Sequence, residues 1–300
     1  MKERVVVFGG SGFLGSHVAD ELAKRDYQVI IYDLREYPRL KKNQVMVTGD
    51  INDSDRVREV IKGADIIYNF SAVADIEEAA VNPVETVKVN ILGNTKIMNA
   101  AKDCKIKRYI FASSIYVYGN SGSFYRASKF ASELLIESFH EIYNLNYTIL
   151  RYGSLYGKYA DEHNWIYKIL KDALTLGKIV RHGDGEEIRE YVHVEDAARY
   201  SVDILSEEYK NQCVVLTGHH PIKIKDLLLM IKEILDNKVE IEYLPTRQTY
   251  HYEITPYSFM PKMARKLTSN YYIDLGQGIL DCLDYIHKNL KTDKIEGAVE

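Results

Sequence analysis

A tyrosine followed one helical turn later by a lysine can do proton chemistry, and the chain holds three such pairs: Tyr37 with Lys41, Tyr125 with Lys129, and Tyr167 with Lys171. With 24 tyrosines in 300 residues the pattern arises by chance, so context has to choose among them. Only Tyr125 comes shortly after a buried-strand pattern, residues 109–112, that runs into Ser113-Ser114. A helix opening there stands at the carboxyl edge of a sheet, where ligands of open α/β folds bind. The spacing puts both side chains on one helix face, so the Lys129 ammonium stands near the Tyr125 phenol. A free phenol titrates near about pH 10, and each unit of depression is worth about 1.4 kcal/mol. A desolvated ammonium lowers that value. Tyr125 then suits a general base for a substrate hydroxyl, with Ser114 hydrogen-bonding the same oxygen.

The second chemical feature is the turn Gly9-Gly10-Ser11-Gly12-Phe13-Leu14-Gly15, placed between a strand pattern and a helix pattern. Glycines are needed where the chain turns tightly, a pyrophosphate touches bare backbone, and a helix presents its free N–H groups to an anion. Asp33 closes the next strand pattern, where an acid accepts hydrogen bonds from the adenosine ribose of NAD and repels the 2′-phosphate of NADP. Arg35 follows and softens that preference; on Asp33, NAD is the expected cofactor. Its positively charged nicotinamide would depress Tyr125 further, and Tyr125 would act while hydride moves to the cofactor.

These residues need a scaffold. Short apolar runs at 5–8, 29–32, 45–47, 66–70, 109–112 and 148–150 read as strands buried on both faces. Helical patterns lie between them at 13–24, 54–62, 84–102 and 125–143. Strands alternating with helices of this length make βαβ units, and right-handed crossovers then give an α/β, Rossmann-type doubly wound parallel sheet. After Arg151 the rhythm changes: helices at 166–176, 196–205, 225–235 and 275–290, strand patterns at 187–193 and 213–216, and an irregular stretch with Pro245, Pro256 and Pro261. The expected division is an NAD-binding domain over 1–153, to which 192–218 returns, and a smaller mixed α/β substrate lobe from 154–191 and 219–300.

Composition bounds the rest. The chain is 46% apolar and 27% charged, with a formal charge of −4 from 39 basic and 43 acidic residues. That balance gives no reason to expect nucleic acid, and no apolar run is long enough to span a membrane. Cys104, Cys213 and Cys282 are odd in number and widely spaced, against a disulfide framework or a zinc site. His193-Val194-Glu195 lacks the cysteine pair of zinc deaminases, and His219, His220 and His251 have no ligand spacing, so no metal is expected. The first strand pattern begins at Val5, leaving no room for a signal peptide, and the cytoplasm is the expected compartment.

In this combination the sequence resembles an extended short-chain dehydrogenase/reductase of the NAD-dependent nucleotide-sugar epimerase/dehydratase family, of the UDP-glucose 4-epimerase-like kind, over nearly its whole length. Beyond the glycine turn the resemblance rests on Gly49-Asp50-Ile51, Asn69-Phe70-Ser71-Ala72, Asn90-Ile91-Leu92-Gly93-Asn94-Thr95, Ser113-Ser114-Ile115-Tyr116-Val117-Tyr118-Gly119, Arg151-Tyr152-Gly153-Ser154-Leu155-Tyr156-Gly157 and Arg189-Glu190-Tyr191-Val192-His193-Val194-Glu195-Asp196. It implies Ser114, Tyr125 and Lys129 as the catalytic set. On the cofactor it implies Gly9, Gly12, Phe13, Leu14 and Gly15, then Asp33, Leu34, Arg35, Asp50 and Ile51, then Phe70, Ser71, Ala72, Asn90 and Tyr152 together with Tyr125 and Lys129. For the substrate it implies Ser114, Tyr125, Ser154, Asn164 and Arg189, an arginine being able to grip phosphate oxygens in pairs.

Three departures carry information. In 4,6-dehydratases an Asp-Glu pair after the catalytic Thr eliminates water; here Ile115 and Tyr116 stand there and cannot do that work. The family's Asn is Ser154, and the stretch between Ser114 and Tyr125 is shorter than in many sugar epimerases. The expectation is NAD-dependent oxidation at C4 of a nucleotide-diphospho-sugar, as a 4-epimerase. The alternatives are a 4-dehydrogenase releasing the 4-keto sugar, for example from a GDP-linked hexose or heptose, and a non-catalytic NAD-binding sensor. The long helical patterns 84–102 and 125–143 carry apolar residues beyond one face, and in the family they pair across a homodimer or a dimer of dimers.

Overall fold

The computed structural model describes residues 2–218, 221–245 and 251. In chain order its elements are β1 (Arg4–Phe8), α1 (Phe13–Lys24), β2 (Gln28–Asp33), β3 (Gln44–Thr48), α2 (Ser54–Ile61), β4 (Ile66–Asn69), α3 (Ile76–Val81), α4 (Pro83–Val87), α5 (Asn94–Lys102), β5 (Arg108–Ser114), α6 (Ser123–Tyr143) and β6 (Tyr147–Tyr152). There follow β7 (Ser154–Tyr156), α7 (Trp165–Leu176), β8 (Lys178–His182), β9 (Ile188–His193), α8 (Val194–Asp203), β10 (Gln212–Leu216), β11 (Pro221–Lys223), α9 (Ile224–Ile234) and β12 (Glu240–Leu244).

Seven strands form one parallel sheet in the order β10-β6-β5-β4-β1-β2-β3. The order reverses between β1 and β4, which opens a crevice beyond their carboxyl ends. Strand alternation feeds two cores: Val6 and Phe8 pack with Ile61, Ile97 and Met98 on one face, while Val5 and Val7 pack with Val18, Leu22 and Val202 on the other. Smaller sheets, β11-β9-β7 and β12-β8, lie with α7 and α9 over a third core of Ile166, Ile169, Ile179 and Leu228.

Two expectations change. The run 45–47 is the edge strand β3, and Val45 is 59% exposed, so burial on both faces does not hold there. The stretch 84–102 is not one regular helix: between α4 and α5, Lys88–Gly93 widens into a π-turn. The wider turn aims the Asn90 amide inward, where it receives Val73 N–H at 2.8 Å and donates to the Val73 carbonyl at 3.1 Å and to Ser128 Oγ at 2.9 Å. Helix α3 is short and capped by the Asp75 carboxylate, which accepts from Glu78 N–H at 2.8 Å. No helix among the described residues is long and apolar enough to cross a membrane. The expected helix at 275–290, with Pro256, Pro261, Cys282, His219 and His220, lies outside the described residues.

Candidate active site

The glycine turn joins β1 to α1 at the switch point. Gly9 has φ +72°, and a Cβ there would stand 2.6 Å from Ser71 N, two residues beyond the end of β4. A Cβ on Gly15 would collide with the Gly9 carbonyl oxygen, so helix and strand can close this tightly only with glycine at both places. Gly12 caps α1 without a side chain, and the helix has no acid in its first turn, so its N–H groups and positive dipole end suit an anion. Asp33, ending β2, accepts Ser11 N–H at 3.0 Å and Arg35 N–H at 3.1 Å. A carboxylate has about four lone-pair sites, so acceptor capacity remains for a ribose diol.

These groups line a cleft of about 450 Å³. Its walls take in Gly9, Gly12, Phe13, Leu14 and Gly15; Asp33, Leu34, Arg35, Asp50 and Ile51; and Phe70, Ser71, Ala72 and Tyr152. Ser114, Tyr125 and Lys129 also line it. Asn90 is not on these walls; it is buried beneath, its amide engaged by Val73 and Ser128. Tyr152 is buried with its hydroxyl 2.6 Å from Ser201 Oγ, and burial pushes its phenol well above the usual range, which fits packing rather than proton transfer.

Ser114 ends β5, and its Oγ accepts Tyr116 N–H at 3.3 Å. Tyr125 sits in the first turn of α6 and Lys129 one turn on. Lys129 is 4% exposed, donates to the Ala112 carbonyl at 2.7 Å and lies 5.8 Å from the Tyr125 ring centroid. Burial pulls its pKa down to about 8, against the opposing pull of Glu133. The ammonium is therefore still largely charged at neutral pH while standing in a dry setting, where its field on a neighbouring phenol is strong.

A second cavity, of about 530 Å³, shares Leu155 with the cleft. Ser154, Asn164 and Arg189 all line it. The Asn164 amide is engaged structurally: it caps α7 by accepting Tyr167 N–H at 3.1 Å and donates to the Leu155 carbonyl at 2.8 Å. Arg189 is 8% exposed. Tyr116 bridges the two spaces, its ring edge-on to Tyr125 at 6.2 Å and its hydroxyl 2.7 Å from His251 Nδ1. Burial, with Arg189 and Arg181 nearby, lowers the His251 pKa. Among the described residues no group of His, Cys, Asp and Glu is arranged to hold a metal ion.

The sequence profile of the NAD dependent epimerase/dehydratase family matches residues 5–215. The chain belongs to that family. It is an NAD-dependent enzyme of the extended short-chain dehydrogenase/reductase type, and the glycine cradle, the free α1 terminus and Asp33 fit that cofactor. Among its relatives, a Methanocaldococcus jannaschii protein provisionally named UDP-glucose 4-epimerase is 28% identical, covering 96% of this chain and 100% of the relative. The UDP-N-acetyl-alpha-D-glucosaminuronate decarboxylase of Bacillus cytotoxicus is 26% identical over 83% of this chain and 86% of its own. Among solved structures, UDP-N-acetylglucosamine 4-epimerase from Methanobrevibacter ruminantium, in complex with UDP-N-acetylmuramic acid, superposes with TM-score 0.78 at 28% identity, covering 85% of this chain and 89% of that one.

The epimerase/dehydratase frame also exposes residues that sequence reasoning passed over. Arg181 is buried on β8, paired to Glu187 at 2.7 Å, with its guanidinium 5.4 Å from the Trp165 ring, and it lines the second cavity beside Arg189. The alternation Ile179, Val180, Arg181 puts that arginine on the core face, a signal readable once β8 is recognised as a strand. Glu133 lies one turn beyond Lys129 and was legible as a continuation of the same helix stripe.

Proposed function

We propose that the protein oxidises C4 of a nucleotide-diphospho-sugar and works as a sugar 4-epimerase. The observation that carries this reading is the Tyr125 and Lys129 pair on the wall of the glycine-cradled cleft, with Tyr116, edge-on to Tyr125, lining a second cavity that holds two buried arginines. When bound, NAD supplies the hydride acceptor and donor. Tyr125 takes the proton of the C4 hydroxyl as that carbon is oxidised and returns it on reduction; Lys129 stabilises the phenolate between the two events. Ser114 hydrogen-bonds the same oxygen. Arg189 and Arg181 hold the diphosphate end, so that the sugar ring can present either face without leaving the cavity. Directly after Ser114 stand Ile115 and Tyr116 and no acid pair, which supports epimerisation over elimination of water.

Tyr125→Phe tests the reading. Turnover of nucleotide sugars, followed by NMR, falls by at least about a thousandfold, in the range of a lost general base, while NAD stays bound. Near-parental turnover overturns the assignment. Accumulation of a 4-keto sugar with reduced cofactor in the parent enzyme identifies a 4-dehydrogenase instead.

We also infer a homodimer through α4, the π-turn that follows it and α6. Val84, Val87 and Leu92 on one stretch and Leu134 and Ile142 on the other are exposed, an apolar surface that a second copy would cover. Light scattering giving only the monomer mass contradicts it.

A further inference from the structure

Glu133 is 2% exposed, and a charged carboxylate is retained in such a place only with partners. Arg151 meets it from β6 as a bidentate pair, Nη2 to Oε2 at 2.6 Å and Nε to Oε1 at 3.0 Å. The Ser113 hydroxyl donates to it from β5. Ser113 and Arg151 are register partners across β5 and β6, and each directly precedes a residue of the cleft, Ser114 and Tyr152. On α6, Tyr125, Lys129 and Glu133 follow one another at single-turn intervals, so one helix stripe carries all three. The Tyr118 ring lies 4.6 Å from the Arg151 guanidinium carbon. Although burial works against its charge, the bonds to Glu133 hold Arg151 well above its ordinary pKa, so it stays cationic.

We propose that Glu133 is a positioning residue for the Tyr125 and Lys129 pair: with Arg151 and Ser113 it locks α6 to the carboxyl ends of β5 and β6 and balances the charge around Lys129. The proposal rests on the reading of Tyr125 as the base. Lys129 faces Tyr125 and Glu133 from its own helix, the Phe111 ring and the Ala112 carbonyl from β5, and, through Glu133, the Arg151 guanidinium from β6. Removing the carboxylate leaves the buried Lys129 and the part-buried Arg151 as two uncompensated cations near each other; removing the guanidinium leaves an uncompensated anion one turn from Lys129. The two changes act on the ammonium with opposite sign.

The test follows the Lys129 13Cε resonance through a pH titration of the substrate-free protein, and the alkaline limb of kcat/KM, in Glu133→Gln, Arg151→Met and Glu133→Asp. Glu133→Gln moves both readouts to lower pH and Arg151→Met to higher pH, each by about one unit. Glu133→Asp, which keeps the charge, titrates like the parent. If Glu133→Gln does not fold, Arg151→Met and Glu133→Asp carry the comparison. A Lys129 titration unmoved in the folded variants, with only thermal stability lowered, overturns the proposal and leaves the network a structural brace. Turnover surviving in Tyr125→Phe sinks the base assignment separately, because the Lys129 resonance is read without turnover.

Discussion

The ammonium of Lys129 donates to the carbonyl of Ala112 at 2.7 Å while standing 5.8 Å from the Tyr125 ring centroid. A β5 carbonyl therefore fixes the cation at the end of the strand that delivers Ser114, and the helix turn brings Tyr125 to the same place. The lysine is held by the fold rather than by a surface ion pair, so its burial carries a free-energy consequence that can be measured.

Lys129 titrates near about 8 in the folded protein, against about 10.4 for a free lysine. The unfolded chain thus binds more protons between those values, and stability attributable to this group rises with pH across that window. Below about pH 8 the penalty is complete, about 3 kcal/mol; the Ala112 hydrogen bond offsets about 1 kcal/mol of it. Lys129→Met in the cofactor-free protein should therefore gain about 1–2 kcal/mol at pH 7, or about 2–3 °C in Tm for a chain of this size, lose its turnover, and show no gain at about pH 10.5. Thermal melts across pH check this; a lower Tm at pH 7 contradicts it.

Asp33 is bonded to the backbone at Ser11 and Arg35 and faces the cleft. Asp33→Ser removes the ribose acceptor and the charge that repels a 2′-phosphate, and leaves Arg35 beside the site. NAD affinity should fall about tenfold, equivalent to about 1.4 kcal/mol, with NADP affinity rising. Calorimetry with both cofactors decides it; an unchanged preference would remove Asp33 from the role.

Arg181 and Arg189 belong to the second cavity and not to the cofactor cleft. Arg181→Met and Arg189→Met should each raise KM for the nucleotide sugar about 10- to 100-fold, as expected for a charge-assisted hydrogen bond of about 1.5–3 kcal/mol. NAD affinity should change by less than about twofold. A parallel loss of NAD binding would show that the two spaces do not divide the ligands in this way.

Much of the scaffold was legible because it is written in local periods. The two-residue alternation of 5–8 feeds both cores, and the helix pattern 13–24 coincides with α1. The glycines at 9 and 15 were legible because one left-handed turn and one close approach exclude any side chain. The stretch 84–102 was misjudged as regular because a π-turn leaves the apolar pattern intact; its reason is the Asn90 amide, whose partners are Val73 and Ser128. Val45 was misjudged because an apolar run says nothing about whether its strand has a second neighbour.

The sequence by itself determined the parallel α/β alternation and the anion-ready turn with Asp33 beyond it, and it singled out Tyr125 as the candidate among three Tyr–Lys pairs, since each depends on neighbours within a turn or a strand. Only the tertiary structure decided which groups on separate elements meet: Glu133 with Arg151, Tyr116 with His251, and Arg181 with Arg189 at one cavity. Such pairs are selected by crossovers and sheet register, and burial is what makes each charged group require its partner.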